Sequence, residues 1–373
     1  MTATSRSLSR LRLTQFRNYH TGALDLDQRH LVLIGPNGAG KTNLLEAISL
    51  FSPGRGLRGA AFEELAAQGS DGAWAVATTI ETPDGPVDIG TGSAPDGGRR
   101  VRINGAPARA IEDMSAFLRL LWLTPAMDGL FTGPASDRRR FLDRLVTTLV
   151  PGHAATVNDY EKAMRQRNKV LDEGGDAYWL SALEAQMAGF GAALHCARAD
   201  SLADLDHLAA QAGEGDFPVA TLGLTPMIEQ ALPATSADLE ALLRDIWAAE
   251  RPRDRAAGRT LTGPHRVDLT VVHRQKAMPA ALGSTGEQKA LLIGLILAHA
   301  RLVRRSAGIA PILLLDEIAA HLDPNRRAAL FSALDALGSQ CVMTGTDLML
   351  FDALGARAQR VLVEDGQLVR QPG

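Results

Sequence analysis

Residues 35–42 read GPNGAGKT. They come directly after the apolar run LVLI and directly before a segment with Leu44, Leu45, Ile48 and Phe51 at helical spacing. The stretch fits G-x-x-x-x-G-K-[ST] where that pattern has chemical meaning, between a buried strand and a helix N-terminus. Gly35, Gly38 and Gly40 let the backbone wrap an anion, with Pro36, Asn37 and Ala39 completing the loop, so that successive N–H groups point inward. Lys41 can reach the β- and γ-phosphates, and the Thr42 hydroxyl can ligate Mg²⁺. A chain with this feature is expected to build an α/β core around a nucleoside triphosphate.

The other half of such a site stands far downstream. PILLLDEI (residues 311–318) is an apolar strand ending in two carboxylates. A carboxylate at the C-terminal end of a parallel strand meets the phosphate side of the sheet, so Asp316 suits the Mg²⁺ shell and Glu317 can orient and deprotonate the attacking water. An apolar strand followed by Asp-Glu is common alone; paired with the phosphate loop it reads as the catalytic half of an ATPase. Asp323 follows in HLDPNRR, and CVMTGTD ends another strand in Thr344, Thr346 and Asp347.

A second anion-binding arrangement opens at LGSTGEQKALLIG (residues 282–294). Ser284, Gly286, Glu287 and Gln288 precede an apolar helical run. The free N–H groups and the positive dipole end of a helix start favour negative charge.

Composition excludes several classes. Hydrophobic residues make up 46% and charged residues 22%, which is a soluble globular balance, and 373 residues suffice for two lobes. Only five of the 39 basic residues are lysine, a bias that reads first as genomic composition. The net charge of −3 means that any nucleic-acid binding uses local basic patches. Cys196 and Cys341 lack metal-ligand spacing, the N-terminus lacks an apolar signal core, and the longest apolar run is broken by His299 and Arg301. The expectation is a cytoplasmic protein with no membrane span.

Along the chain, residues 8–110 read as an antiparallel meander with one interrupting helix. From Glu112 the pattern turns helical, with Ser136 as a candidate cap. Val157, Tyr160, Met164 and Leu171, then Leu180, Leu183, Met187, Phe190, Leu194 and Ala197, mark two helices around the turn DEGGDA. They read as a helical hairpin, packed either as a short coiled coil or as an ordinary bundle. RPRDRAAGRT (residues 251–260) reads as an arginine-rich loop. The expected organisation is an ATPase core lobe over 1–111, a helical lobe over 112–258, and a segment over 259–373 that completes the core.

The order of these motifs resembles the ABC-type ATPase head: STGEQ stands at the signature, Asp323 at the D-loop, and Thr344 to Asp347 at the switch. It is most similar to the RecF family of DNA repair ATPases, which has an SMC-like head. LRLTQFRNYH, GPNGAGKTNLLEAI, DRRRFLD, TGPHRVDL and TGTD carry that resemblance between residues 8 and 350. The resemblance implies ATP and Mg²⁺ as cofactors and an ATP-dependent homodimer in which Ser284 and the Gly286 N–H meet the partner's γ-phosphate. It implies nucleotide contacts from Arg17 and Asn18, gapped or single-to-double-strand junction DNA as ligand, RecO and RecR as partners, and slow hydrolysis that serves as a switch in recombinase loading. The sequence departs from the pattern at STGEQK, at His321, at GRGLR and at the Q-loop, where Asp128 stands near the expected glutamine.

The rival reading is an ABC subunit energising a membrane transporter. It calls for a switch histidine and a short coupling segment. No histidine stands at the switch, and the insert from Glu112 to Gly258 is far longer than coupling needs. For DNA, the candidate contacts are Arg99 and Arg100 in one cluster and Arg138, Arg139 and Arg140 in another. The ordinary reading of each is a solvated basic face.

Overall fold

The computed structural model describes residues 6–94, 96–211 and 215–371. In chain order its elements are β1 (Ser7–Phe16), β2 (Tyr19–Asp25), β3 (His30–Ile34), α1 (Lys41–Ser49), β4 (Ala75–Glu81), β5 (Val87–Ser93), β6 (Arg99–Ile103), β7 (Ala106–Pro107) and β8 (Leu120–Leu123). Next come α2 (Ala135–Leu149), α3 (His153–Asp172), α4 (Ala177–Gln211), β9 (Ala220–Leu224), α5 (Ser236–Ala257), β10 (Leu269–His273), β11 (Met278–Pro279) and α6 (Thr285–Ala307). The chain ends through β12 (Ile312–Leu315), α7 (Pro324–Leu337), β13 (Cys341–Gly345), β14 (Ala358–Glu364) and β15 (Gln367–Arg370). Two compact units result: Met1–Asp128 with Glu214–Pro218 and Lys289–Gly373, and Gly129–Gly213 with Val219–Gln288.

The first unit holds two six-stranded sheets. One is antiparallel, in the order β2-β1-β4-β5-β6-β7; the other runs β15-β14-β3-β13-β12-β8 and is parallel except at β15. The parallel strands are continuous apolar runs because both their faces are covered: all four residues of β12 and all five of β13 are buried. β1 alternates instead, with Leu11 and Leu13 buried and Arg10, Arg12 and Thr14 exposed. Leu44, Leu45 and Ile48 of α1 share one core with Leu11, Leu13 and Val76 of the antiparallel sheet and with Leu31, Leu33, Leu314 and Val342 of the parallel one. The phosphate-loop helix is therefore gripped by both sheets. The sequence pattern places residues 120–123 in a helical segment, yet they form the edge strand of the parallel sheet. Four apolar residues in a row do not by themselves distinguish a buried strand from a buried helical turn.

The second unit is helical, with a small sheet in the order β11-β10-β9. α3 and α4 form the expected hairpin around residues 173–176, and α5 packs along both, so the packing is that of a three-helix bundle. Tyr160, Met187, Leu243 and Trp247 are in its core. A Cβ on Gly191 would lie 3.2 Å from the Tyr160 ring and 3.3 Å from Trp247, which explains a glycine inside α4.

Two sequence expectations change here. α2 starts after Pro134 with no side-chain cap, so Ser136 lies inside the helix and caps nothing. The arginine-rich loop is helix as far as Ala257 despite Pro252. Its side chains hold it there. Arg251 pairs with Glu184 at 2.5 Å, Arg255 donates to the Leu171 carbonyl at 2.7 Å, and fully buried Asp254 accepts from Arg167 at 2.7 Å. Arg167 also donates to Glu184, the Thr260 hydroxyl and the Trp247 carbonyl, so all three guanidinium nitrogens are satisfied with no exposed surface. Breaking one member of such a buried charge network costs about 3–5 kcal/mol, roughly the interior-proline penalty that α5 accepts. Gly258, at φ 66°, ends the helix.

His265 in GPHR packs against Tyr160. The Tyr160 hydroxyl lies 2.7 Å from His265 Nδ1, and Nε2 lies 3.1 Å from the Thr260 carbonyl. A carbonyl only accepts, so Nε2 carries the proton, and in the neutral ring Nδ1 accepts from the tyrosine hydroxyl. Burial, with nearby Arg266 and Arg139, holds its pKa down at about 4. Between there and about 6.5 the unfolded chain binds the extra proton. Stability is therefore expected to be complete above about pH 6.5 and to fall as the pH drops towards 4. Chemical denaturation midpoints across that range check this, and His265→Gln should flatten the slope.

Candidate functional site

The site grows from the ends of β3, β12 and β13, neighbours in the parallel sheet. Gly35 leaves β3 where a Cβ would lie 2.2 Å from the Val363 carbonyl oxygen, so no side chain fits. Gly40 takes φ 113°, and a Cβ there would meet Asn18 Nδ2 at 2.5 Å and the Tyr19 hydroxyl at 2.7 Å. Those two residues clamp the loop from outside: Asn18 donates to the Ala39 carbonyl at 3.1 Å and Tyr19 to that of Gly40 at 3.1 Å. Asn43 donates to Asn18 Oδ1 at 2.7 Å and completes the brace.

Inside the loop, Lys41 is 5% exposed and its Nζ donates to the carbonyls of Gly35 at 2.7 Å and Pro36 at 2.9 Å. Burial lowers its pKa, partly opposed by Glu317 and Asp316. Pro36, Asn37 and Gly38 are exposed. Asp316 is buried at the end of β12. Its carboxylate accepts from the Thr42 hydroxyl at 3.0 and 3.1 Å and from the Thr344 hydroxyl at 2.8 Å. Thr344 in turn accepts the Glu317 backbone N–H at 2.9 Å, and Glu317 sits in the left-handed region at φ 53°. Thr42 and Asp316 offer adjacent hard oxygen donors. Among the described residues no group of three or more His, Cys, Asp or Glu side chains could hold a metal. A cation taking one or two protein oxygens and completing its shell with phosphate and water, as Mg²⁺ does, fits this donor set.

Lys41, Thr42, Asp316, Glu317 and Thr344 are thus brought together. Thr344, expected in the switch, belongs to the acid cluster itself. Asp323 caps α7, accepting the Arg326 N–H at 2.9 Å, and Asp347 accepts the Met349 N–H at 2.8 Å, while Thr346 is exposed. Asp128 pairs with Lys289 at 3.0 Å. In the second unit, Gln288 donates to the Gly283 carbonyl at 2.8 Å and so braces its own loop; the Glu287 carboxylate turns back onto Ser284, and Gly286 is exposed.

Three arginines expected at nucleotide or DNA are engaged within the fold. Arg17, expected at the nucleotide, is bidentate on fully buried Glu46 at 2.7 and 2.8 Å, with Arg58 on the same carboxylate at 2.8 Å. Arg99 lies inside the fold, donating to the carbonyls of Leu50, Ser52 and Gly54, and burial lowers its pKa to about 10. Arg138 is bidentate on Asp268 and donates to the Gly133 carbonyl at 2.6 Å. Each finds an internal acceptor that the linear sequence does not reveal. Arg139 is half-buried, and exposed Arg140 pairs with Asp137.

Exposed Arg100 gains neighbours that sequence reading missed. Strand register places Arg12, Ala77, Gly90 and Arg102 in one row across the exposed face of the antiparallel sheet, and Thr14, Ala75, Gly92 and Arg100 in the next. Arginines stand on both sides of a floor with no side chain longer than a methyl group, three strand spacings or about 14 Å apart. The aspartates of this face are engaged: Asp25 by Arg10, Asp88 by the Thr79 hydroxyl.

A strand-end acid beside a phosphate loop, on a parallel sheet with an antiparallel sheet over the loop helix, in a chain that also carries a helical unit, is the architecture of an ABC-type, SMC-like ATPase head. The profile of the RecF/RecN/SMC N-terminal domain matches residues 7–365. The DNA replication and repair protein RecF of Rhizobium etli is 55% identical over 97% of this chain and 98% of its own length. The chain belongs to the RecF family. Two structures of the recombination mediator protein RecF of the RecFOR pathway share the fold. The RecF-ATPrS structure has TM-score 0.84 at 20% identity, with 99% of each chain covered. The RecF-ATP structure has TM-score 0.82 at 21% identity, with 99% of this chain and 100% of that one covered.

Thr344→Val removes the hydroxyl shared by Asp316 and the Glu317 N–H while keeping the volume. Leaving those groups unpaired is expected to cost about 1–3 kcal/mol, read as a lower denaturation midpoint. Thr346→Val, at an exposed position, should leave the midpoint unchanged.

Proposed function

We propose that this chain is an ATP-dependent DNA-binding protein of recombinational DNA repair. The observation that carries the reading is the set Lys41, Thr42, Asp316 and Glu317 around one phosphate loop. Lys41 and the inward N–H groups would hold the β- and γ-phosphates, and Thr42 and Asp316 would hold Mg²⁺, which neutralises charge on the phosphates when bound. Glu317 would take the proton of the attacking water. The ATPase families to which the relatives belong support hydrolysis; a slow rate, used as a switch, is our proposal.

Dimerisation supplies the switch. Ser284 and the Gly286 N–H of one chain would receive the γ-phosphate held by the other, so that ATP joins two chains and hydrolysis releases them. The exposed arginine face of Arg12, Arg100 and Arg102 supports backbone rather than base recognition, in keeping with gapped or junction DNA as ligand. Family membership supports RecO and RecR as partners, recombinase loading as the outcome and the cytoplasm as location. Among the described residues no helix is long and apolar enough to cross a membrane.

Two measurements test the reading. Glu317→Gln keeps the shape and removes the base. Steady-state turnover should fall by roughly a hundredfold or more while ATP still binds; unchanged turnover would move the base to another residue. Wild-type affinity for gapped DNA should be higher with ATP than with ADP and should drop steeply with salt. Arg12→Glu with Arg100→Glu should abolish most of the ATP-dependent gain and flatten the salt slope. Equal affinity in both nucleotides would remove DNA binding from ATP control.

A further inference from the structure

Ser284 opens the second anion site with one hydroxyl proton and one backbone N–H, and both go to the same atom. Glu287 Oε2 accepts the Ser284 N–H at 2.7 Å and the Ser284 hydroxyl at 2.9 Å, while the Glu287 N–H approaches Ser284 Oγ at 3.4 Å. The other carboxylate oxygen, Oε1, is held by Lys276. Locally this is a capping box, and it explains why the helix starts here. Its consequence lies elsewhere: the Ser284 hydroxyl, one of the two donors that a γ-phosphate would use, is already bonded to an anion.

We propose that Glu287 is a built-in competitor for the anion seat of this helix start, tethered by Lys276, and that ATP-driven dimer closure has to displace it. The proposal rests on the reading above that the seat receives a partner's nucleotide. Three facts carry it. A serine hydroxyl has a single proton to donate, so Ser284 cannot serve carboxylate and phosphate together. Two full negative charges at one helix N-terminus repel, and the helix dipole cannot neutralise both. The carboxylate also cannot leave by taking up a proton at working pH, because Lys276 and the two Ser284 donors hold its pKa at about 2. Displacement is therefore a movement, and Lys276, on the short turn that ends at Ala277 with φ 48°, keeps the displaced group close by.

The test is the dimer dissociation constant of the full chain with ATPγS and Mg²⁺, measured by sedimentation. Glu287→Gln keeps the side-chain shape and removes the charge, and is expected to tighten the dimer about tenfold. Nucleotide binding to the chain's own phosphate loop, read with a fluorescent analogue at protein concentrations below dimer formation, should not change. Ser284→Ala with Glu287→Gln should show no gain over Ser284→Ala alone, because the contested donor is gone. A Glu287→Gln dimer equal to or weaker than wild type, or a gain that persists without the Ser284 hydroxyl, overturns the proposal. A wild-type chain that stays monomeric in ATPγS overturns the underlying reading instead, so the two failures are distinguishable.

Discussion

The buried Asp316 carboxylate organises the nucleotide site. It sits at the end of an entirely apolar strand, where an unpaired charge would be costly, and two hydroxyls on different elements satisfy it. Thr42 ties it to α1 and therefore to the phosphate loop. Thr344 ties it to β13 and, through the Glu317 N–H, fixes the backbone of the residue proposed to act on water. The phosphate loop, Asp316 and the Glu317 backbone are thus one hydrogen-bonded unit across three neighbouring strands. α1, gripped between two sheets, leaves that unit little room to drift.

A common logic runs through the rest of the chain: charged groups near functional positions are engaged internally. Lys41 rests on two loop carbonyls, Arg17 and Arg58 share Glu46, and Glu287 occupies the donors of Ser284. Some of these contacts are scaffolding. Glu46 is fully buried, and its arginines brace the helix after the phosphate loop. Others involve the groups a nucleotide would use, and binding exchanges one set of partners for another. Burial separates the two kinds. Glu46 has no exposed surface, whereas the Glu287 side chain is 30% exposed, so its contacts can be exchanged at modest cost.

Local patterns made much of this legible from sequence. GPNGAGKT, LLLDE and STGEQ are each a few adjacent residues whose chemistry needs that spacing, and the strands and helices flanking them follow from apolar periodicity. The order of the motifs pointed to an ABC-type head, and segments such as LRLTQFRNYH, TGPHRVDL and TGTD to the family that the comparisons show. The hairpin of α3 and α4 was legible because both helices keep 3/4 spacing on either side of a glycine-rich turn. Helical persistence through Pro252 was not, since its cause is a buried network between residues 67 and 87 apart: Arg251 with Glu184, and Asp254 with Arg167.

The sequence by itself determined which residues hold phosphate-binding and acidic chemistry, because loop geometry and strand-end placement are properties of short segments. Only tertiary structure decided which charges are available. Arg99 and Arg100 are adjacent in sequence and alike in chemistry. Strand alternation sends one guanidinium inward to three backbone carbonyls and leaves the other on a face with Arg12, 88 residues away. The physical reason is general. A side chain's charge is legible in sequence, but its desolvation and its partners are set by whatever the fold brings against it.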